Sequence, residues 1–221
     1  IDEFCKVSQA EVIINIDKND NLKKTNLNVK PDNKLYHQLI KDNNPGLVLF
    51  SSGSTGKSKA SVHDFNSLLN KYKVRRKTLN TITFLLYDHI GGINTLFYIL
   101  SNGGLIVTIQ ERNPNHVLKI IEKCKVELLP TSPTFINLIL ISEAYKKYNI
   151  SSLKLVTYGT EPMPEITLKK FNSIFPNVKV IQTYGLSEVG ILSSKSKSSD
   201  SLWVKIGAVS YTHLRAHETR G

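Results

Sequence analysis

From residue 47 onward, short apolar runs rich in β-branched residues alternate with longer stretches whose apolar positions recur at helical spacing. The runs at 47–51, 81–86, 105–109, 126–129, 153–158 and 178–183 read as buried strands. Between them, Val117, Ile120, Ile121 and Cys124 stand at i, i+3, i+4 and i+7, one face of a helix. Ile166, Phe171, Ile174 and Phe175 repeat the tendency after Pro164, and proline suits a first helical turn. The apolar stretch 135–141 reads as a buried helix, and no run reaches the roughly 20 residues of a transmembrane segment. Strand, helix, strand at this interval predicts an α/β fold, a mostly parallel sheet with helices on both faces. Ligands of such sheets bind beyond the carboxyl ends of the strands, and the Gly-rich segments of this chain all follow strands.

Outside that alternation the chain is less regular. Residues 12–16 suggest a strand, 17–34 a polar Asn- and Lys-rich loop, and 193–201 (SSKSKSSDS) a second polar loop. Residues 208–221 (AVSYTHLRAHETRG) leave the Lys, Asn and Ile composition of the rest for Arg, His and Thr without period. That tail resembles the translation of a sequencing-library adapter and is expected to be non-native. His213 and His217, four apart, are therefore not read as metal ligands.

The net charge of +11 raises the possibility of a nucleic-acid partner. The lysines are scattered, however, with no basic block interleaved with aromatics, so they read as a solvated surface and no nucleic acid is expected. Cys5 and Cys124 lie far apart, outside any Cys-x-x-Cys pair. They argue against a disulfide framework or a zinc site, read as buried small apolar residues, and fit a reducing, cytoplasmic location.

The stretch LVLFSSGSTGKSKA, residues 47–60, ends its apolar run in small residues and lysines. Gly56-Lys57-Ser58 spells the end of a Walker P-loop, but that motif needs a glycine five residues before Gly56, and Ser51 stands there. The design still favours anions. From Ser51 to Gly56, small residues let backbone N–H groups turn inward as a nest, Ser52, Ser54 and Thr55 add hydroxyls, and Lys59 adds a charge. The alternative is a plain Ser/Gly turn between two strands. Further on, Ser187 and Glu188 place a hydroxyl beside a carboxylate after a strand, a fit for a hard cation bridging phosphates or simply a solvated strand end.

The segment FSSGSTGKSKA resembles the phosphate loop of the adenylate-forming (AMP-binding) superfamily, roughly [Y/F]-[T/S]-S-G-[S/T]-T-G-x-P-K-G. Ser58 stands at the proline and Ala60 at the last glycine. QTYGLSEVG (182–190) is similar to the family's Y-G-x-[T/S]-E, VTYGTEPMP (156–164) to its G-x-[A/E]-P-[L/M] turn, and YDHIGGINTLFYILSNGG (87–104) to the aromatic-His-x-x-G segment of acyl- and aryl-CoA ligases. The four occur in the family's order over 46–207. The resemblance implies a partial N-terminal domain of an acyl-CoA synthetase type of acid–thiol ligase: a first-lobe remnant at 1–45 and a nucleotide-binding core at 46–207.

It further implies that Ser52, Gly53, Ser54, Thr55, Gly56 and Lys59 hold the phosphates of ATP. Gly159, Thr160, Glu161 and Pro162 line the adenine, Tyr184 packs on it with Gly185 beside, Ser187 approaches the α-phosphate, and Glu188 holds Mg2+. Lys59, His89 and Glu188 would be catalytic, with His89 between nucleotide and acyl pocket. The implied substrates are a small-molecule carboxylic acid, ATP and coenzyme A, as in fatty-acid activation. A ribose-gripping Asp and a C-terminal-domain Lys would belong to parts of such an enzyme with no counterpart here. The oligomeric state and the acid stay open.

Two other readings remain. Asp88 stands near where amino-acid-activating relatives pair the substrate ammonium. Aligning on His89 preserves the spacing to Gly103 and Gly104 without a gap, aligning on Asp88 does not, and the apolar residues after His89 suit an acyl or aryl chain. A degenerate nucleotide-binding domain without chemistry is the third reading.

Overall fold

The computed structural model of the chain describes residues 2–52, 58–187, 190–192 and 194–206. They fall into two compact units, one ending at Lys71 and the other beginning at Tyr72.

The first unit opens with helix α1 (Asp2–Ser8) and an antiparallel hairpin of β1 (Val12–Ile16) and β2 (Leu22–Asn26), with Ile16 opposite Leu22. Asp17 shapes the turn by accepting from the backbone N–H groups of Asn19 and Asn21, at 2.8 and 2.9 Å. β2 lies in the stretch expected to be a loop. Every side chain of its LKKTN sequence is exposed, so it has no apolar alternation to betray it. Helix α2 (Lys34–Lys41) is capped by Asn33, whose side chain accepts from Leu35 N.

β3 (Gly46–Ser52) and β4 (Ser58–Asp64) follow as a second antiparallel hairpin, leading into the short α3 (Phe65–Leu69), which Asp64 caps through Asn66 N and Ser67 N. The run at 47–51 is thus a strand, but not one of the parallel sheet. A parallel crossover needs a dozen or more residues, and only 53–57 join these two strands.

The second unit is wound as β5 (Thr81–Ile82), α4 (Ile90–Ser101), β6 (Ile106–Val107), α5 (Pro114–Cys124), β7 (Leu128–Thr131), α6 (Pro133–Ser142), β8 (Leu155–Tyr158), α7 (Glu165–Ile174) and β9 (Lys179–Gln182). The five strands form one parallel sheet in the order β6-β5-β7-β8-β9. Two antiparallel pairs follow: β10 (Tyr184–Leu186) with β11 (Gly190–Leu192), and β12 (Ser194–Ser196) with β13 (Val204–Ile206). β12 falls inside the second expected loop, another polar strand without a readable period.

The chain steps from β5 outward to β6 and then returns past β5 to β7. Right-handed crossovers in opposite directions put α4 on one face and α5, α6 and α7 on the other. The packing agrees, since α6 lies between α5 and α7 while α4 meets β10 and β11. The direction therefore reverses between β5 and β7, where such sheets open a crevice.

The core fills the α5–α7 side. Val117, Leu118 and Ile121 of α5 are buried, with Ile120 and Cys124 packed partly buried beside them. α6 buries Phe135, Ile136, Ile139 and Leu140. On α7 the buried stripe is Thr167, Leu168 and Phe171, with Ile174 and Phe175 packed against the core. Ile166 was expected to share that face, yet it is 81% exposed. Two residues from Leu168, it is turned about 200° around the helix. Neither cysteine is fully buried, and both are free thiols. Among the described residues no helix is long and apolar enough to cross a membrane.

Glu127 joins three strands at their starts. Its carboxylate pairs with Lys154 and accepts from Asn80 N at 2.9 Å, and its carbonyl accepts from Lys154 N and Leu155 N. The Lys154 hydrogen bond, aided by Asn80, holds its carboxyl below the ordinary 4.5. A depressed carboxyl contributes stability above the unfolded-state value and loses it as pH falls through the folded one. Glu127→Gln is therefore expected to flatten the loss of thermal stability below about pH 4.5, measured as melting temperature against pH.

Candidate functional site

A cavity of about 510 Å³ lies at the carboxyl ends of the parallel strands. Each strand sends it a wall: Phe84, Leu85 and Leu86 after β5, Arg112 after β6, Thr131 and Ser132 at the end of β7, Gly159 and Thr160 after β8, and Thr183 after β9. The β10–β11 hairpin adds Gly185, Ser187 and Ile191, and the start of α4 adds His89, Ile90 and Gly91.

Local chemistry explains these positions. The run 81–86 was expected to be strand throughout, but β5 stops at Ile82 and residues 84–86 turn across the start of α4. Gly92 permits this: a Cβ there would stand 1.8 Å from the Leu86 carbonyl oxygen. Gly159 serves the same purpose between β8 and β9, because a Cβ would lie 2.8 Å from Thr183 Oγ1 and 2.9 Å from its carbonyl oxygen. Thr183 is fastened there, its N–H and hydroxyl both donating to Tyr158 O, at 2.7 and 3.1 Å. Thr160 takes φ +70°, a left-handed conformation unusual for a β-branched residue.

Of the residues singled out in the sequence, His89, Gly159, Thr160, Gly185 and Ser187 meet around this one cavity. Glu161 and Pro162 are exposed beside the wall and do not line it. The Glu161 carboxylate accepts from Thr134 N and Oγ1, at 3.2 and 2.5 Å, at the N-terminus of α6, where negative charge is favoured. Tyr184 is half-buried next to the wall. Lys59 belongs to the first unit, exposed on β4 opposite Ser51, and Ser52 pairs with Ser58. Gly53, Ser54, Thr55, Gly56 and Glu188 lie outside the described residues, as do His213 and His217.

Three wall residues had no signal in the sequence beyond their place after strands, Arg112, Thr131 and Ser132, while Thr183 lay within QTYGLSEVG without being singled out. Arg112 Nε donates to Phe84 O at 2.8 Å, with the guanidinium carbon 6.0 Å from the Phe84 ring centre. Thr131 is 3% exposed, and its hydroxyl has no partner among the described residues. His89 Nε2 stands 3.6 Å from Asp88 Oδ1 at the surface. The described wall thus offers hydroxyls, Arg112 and His89 but no carboxylate, a setting for an anionic ligand.

The family model for the AMP-binding enzyme matches residues 2–213. The chain belongs to that family. Among curated AMP-binding relatives it is 28% identical over 179 residues to 4-coumarate--CoA ligase-like 9 of Arabidopsis thaliana, covering 77% of this chain and 32% of that protein. To Acyl-CoA synthetase 7 of Caenorhabditis elegans it is 29% identical over 156 residues, 63% of this chain and 29% of the other. Among solved structures, the luciferase-like enzyme from the nonluminescent mealworm Zophobas morio aligns with a TM-score of 0.59 at 28% identity, over 66% of this chain and 35% of that one. The chain thus spans about a third of the length of these AMP-binding relatives.

Proposed function

We propose that this chain carries the nucleotide-binding core, residues 46–207, of an acid–thiol ligase. In the proposed reaction a carboxylate oxygen attacks the α-phosphorus of ATP and the bond to the β-phosphate oxygen breaks. Pyrophosphate leaves and an acyl-adenylate forms. The thiol of coenzyme A, losing its proton, then attacks the acyl carbonyl and AMP leaves. The observation that carries this reading is the meeting of three separate sequence motifs, through His89, Gly159–Thr160 and Gly185–Ser187, around one cavity at the strand ends.

In this reading Gly159 and Thr160 give the adenine a backbone wall, backed by Glu161 and Pro162, and Tyr184 packs on its face. The Ser187 hydroxyl approaches the α-phosphate, and His89 separates nucleotide from acid. Ser52 to Gly56 and Lys59 bind the phosphates. Mg2+ is commonly held by one or two carboxylates together with substrate phosphates, and the described wall brings the Ser187 hydroxyl to the phosphates but no carboxylate of its own. Glu188 would hold that ion, whose charge would offset that of the phosphates.

An acid without an amino group fits better than an amino acid. No carboxylate stands among the described wall residues to pair an ammonium, and Asp88 is 70% exposed beside His89. The proposed compartment is the cytoplasm.

The test is nucleotide binding by the 221-residue chain. AMP and Mg-ATP are expected to raise its melting temperature, by about 2.7 kcal/mol of added stability at a hundred times Kd. Carboxylate-dependent ATP–pyrophosphate exchange is expected to be absent from this chain. A melting temperature unmoved by millimolar AMP and ATP would overturn the assignment.

A further inference from the structure

A second cavity of about 160 Å³ lies between α4 and the sheet. It shares Leu85, Gly91, Thr157, Thr183 and Ile191 with the larger one, so the two adjoin. At the far end stand Thr81, Tyr98 and Ile99, and both Thr81 and Ile99 are buried. From Gly91 to Ile99 the helix rises about 12 Å alongside it.

Apart from the Thr157 hydroxyl, the polar groups that line it are engaged within the protein. Thr95 Oγ1 donates to Gly91 O at 2.9 Å, Tyr98 OH to Lys77 O at 2.7 Å, and Tyr72 OH to Asn94 Oδ1 at 2.9 Å. No charged side chain lines it among the described residues. What faces the space is therefore mainly hydrocarbon. An apolar cavity of about 150 Å³ takes a ligand the size of benzene.

We infer that this chamber seats the tail of the carboxylic acid and limits it to a compact apolar group of about one ring, excluding long straight chains and charged tails. The inference rests on the proposed adenylation reading, in which the carboxylate lies at the shared border. It names the substrate class as aryl or short acyl acids, with Thr95 and Tyr98 as size-determining residues.

The test compares binding of 5′-O-sulfamoyladenosine with its N-benzoyl and N-hexadecanoyl derivatives, which imitate acyl-adenylates without reacting. The benzoyl compound is expected to bind about ten-fold more tightly than the hexadecanoyl one. Tyr98→Ala, which lengthens the chamber, is expected to shrink that ratio to about three-fold or less, and Thr95→Leu, which fills it, to remove most of the benzoyl advantage over the parent nucleoside. Thr95→Leu keeps a good helix former in α4, so the proposal stays testable if Tyr98→Ala does not fold. Parent nucleoside that fails to bind would overturn the adenylation reading itself. Parent that binds while both acyl derivatives bind alike, or a ratio unmoved in a folded variant, would overturn the chamber.

Discussion

Gly92→Ala is expected to destabilise the second unit by about 3 kcal/mol, the upper end of the range for overpacking. In an exposed helix the same change would gain about 1 kcal/mol, because alanine is the better helix former. Here the added carbon would stand 1.8 Å from the Leu86 carbonyl oxygen, 2.5 Å from its carbon and 3.1 Å from the Leu85 oxygen. All three are backbone atoms, so no side-chain rotation relieves the clash. Either α4 lifts from residues 84–86 or that segment shifts, and it forms one wall of the cavity. The neighbouring Gly91→Ala supplies the control. Its new carbon would meet only the Leu85 methyl, at 3.2 Å, and His89 Nδ1, at 3.9 Å. That variant is expected to stay within about 0.5 kcal/mol of the parent. Urea unfolding reads both, through a lower midpoint at unchanged slope. A Gly92→Ala midpoint equal to that of Gly91→Ala would show that the packing of α4 on residues 84–86 is not as described.

The contrast between these two glycines shows where sequence reading stops. Both stand in one Gly-Gly pair, and nothing in the sequence says which meets a carbonyl. The parallel strands after β5 were legible because strands buried on both faces must be apolar, and α5 and α6 because their buried faces are continuous. β2 and β12 were not, because β2 is exposed throughout and both sequences are polar without a period. The run at 47–51 had the composition of a buried strand, but its partner was set by the short connection to β4. At the site the same division holds. Glycines and small residues after strands are visible as motifs. Arg112, Thr131 and Ser132 become wall residues only through the strand order β6-β5-β7-β8-β9, which brings loops distant in sequence side by side. Ile166 failed for a simpler reason: five residues before Phe171, it stands about 140° around the helix from it, off the buried face.

Glu188→Ala and Lys59→Ala are each expected to lower carboxylate-dependent ATP–pyrophosphate exchange by 10²-fold or more, in a protein of the relatives' full length that carries these residues. The magnitude follows from the reaction proposed. As the bond to pyrophosphate breaks, negative charge grows on the departing oxygens, and removing one preorganised group from such a centre costs about 10²–10³ in rate. Ser187→Ala should cost less, about 3–10-fold, because a neutral hydroxyl contributes a net hydrogen bond of about 0.5–1.5 kcal/mol. The split between constants separates chemistry from mere binding. A group that acts only as charge develops lowers kcat and kcat/KM together, whereas one that grips ATP equally throughout raises KM alone. Glu188→Ala is expected to do the first, and Lys59→Ala, a charge at the end of a flexible stem, to do both. Melting curves in the absence of nucleotide should not move for Lys59→Ala, whose side chain is exposed on β4. If exchange survives both substitutions, neither Lys59 nor Glu188 takes part in catalysis and the phosphate-site assignment falls. If it falls in Glu188→Ala alone, the phosphate role rests with Ser187 and Glu188, and residues 53–57 are the plain Ser/Gly connection that the sequence also allows.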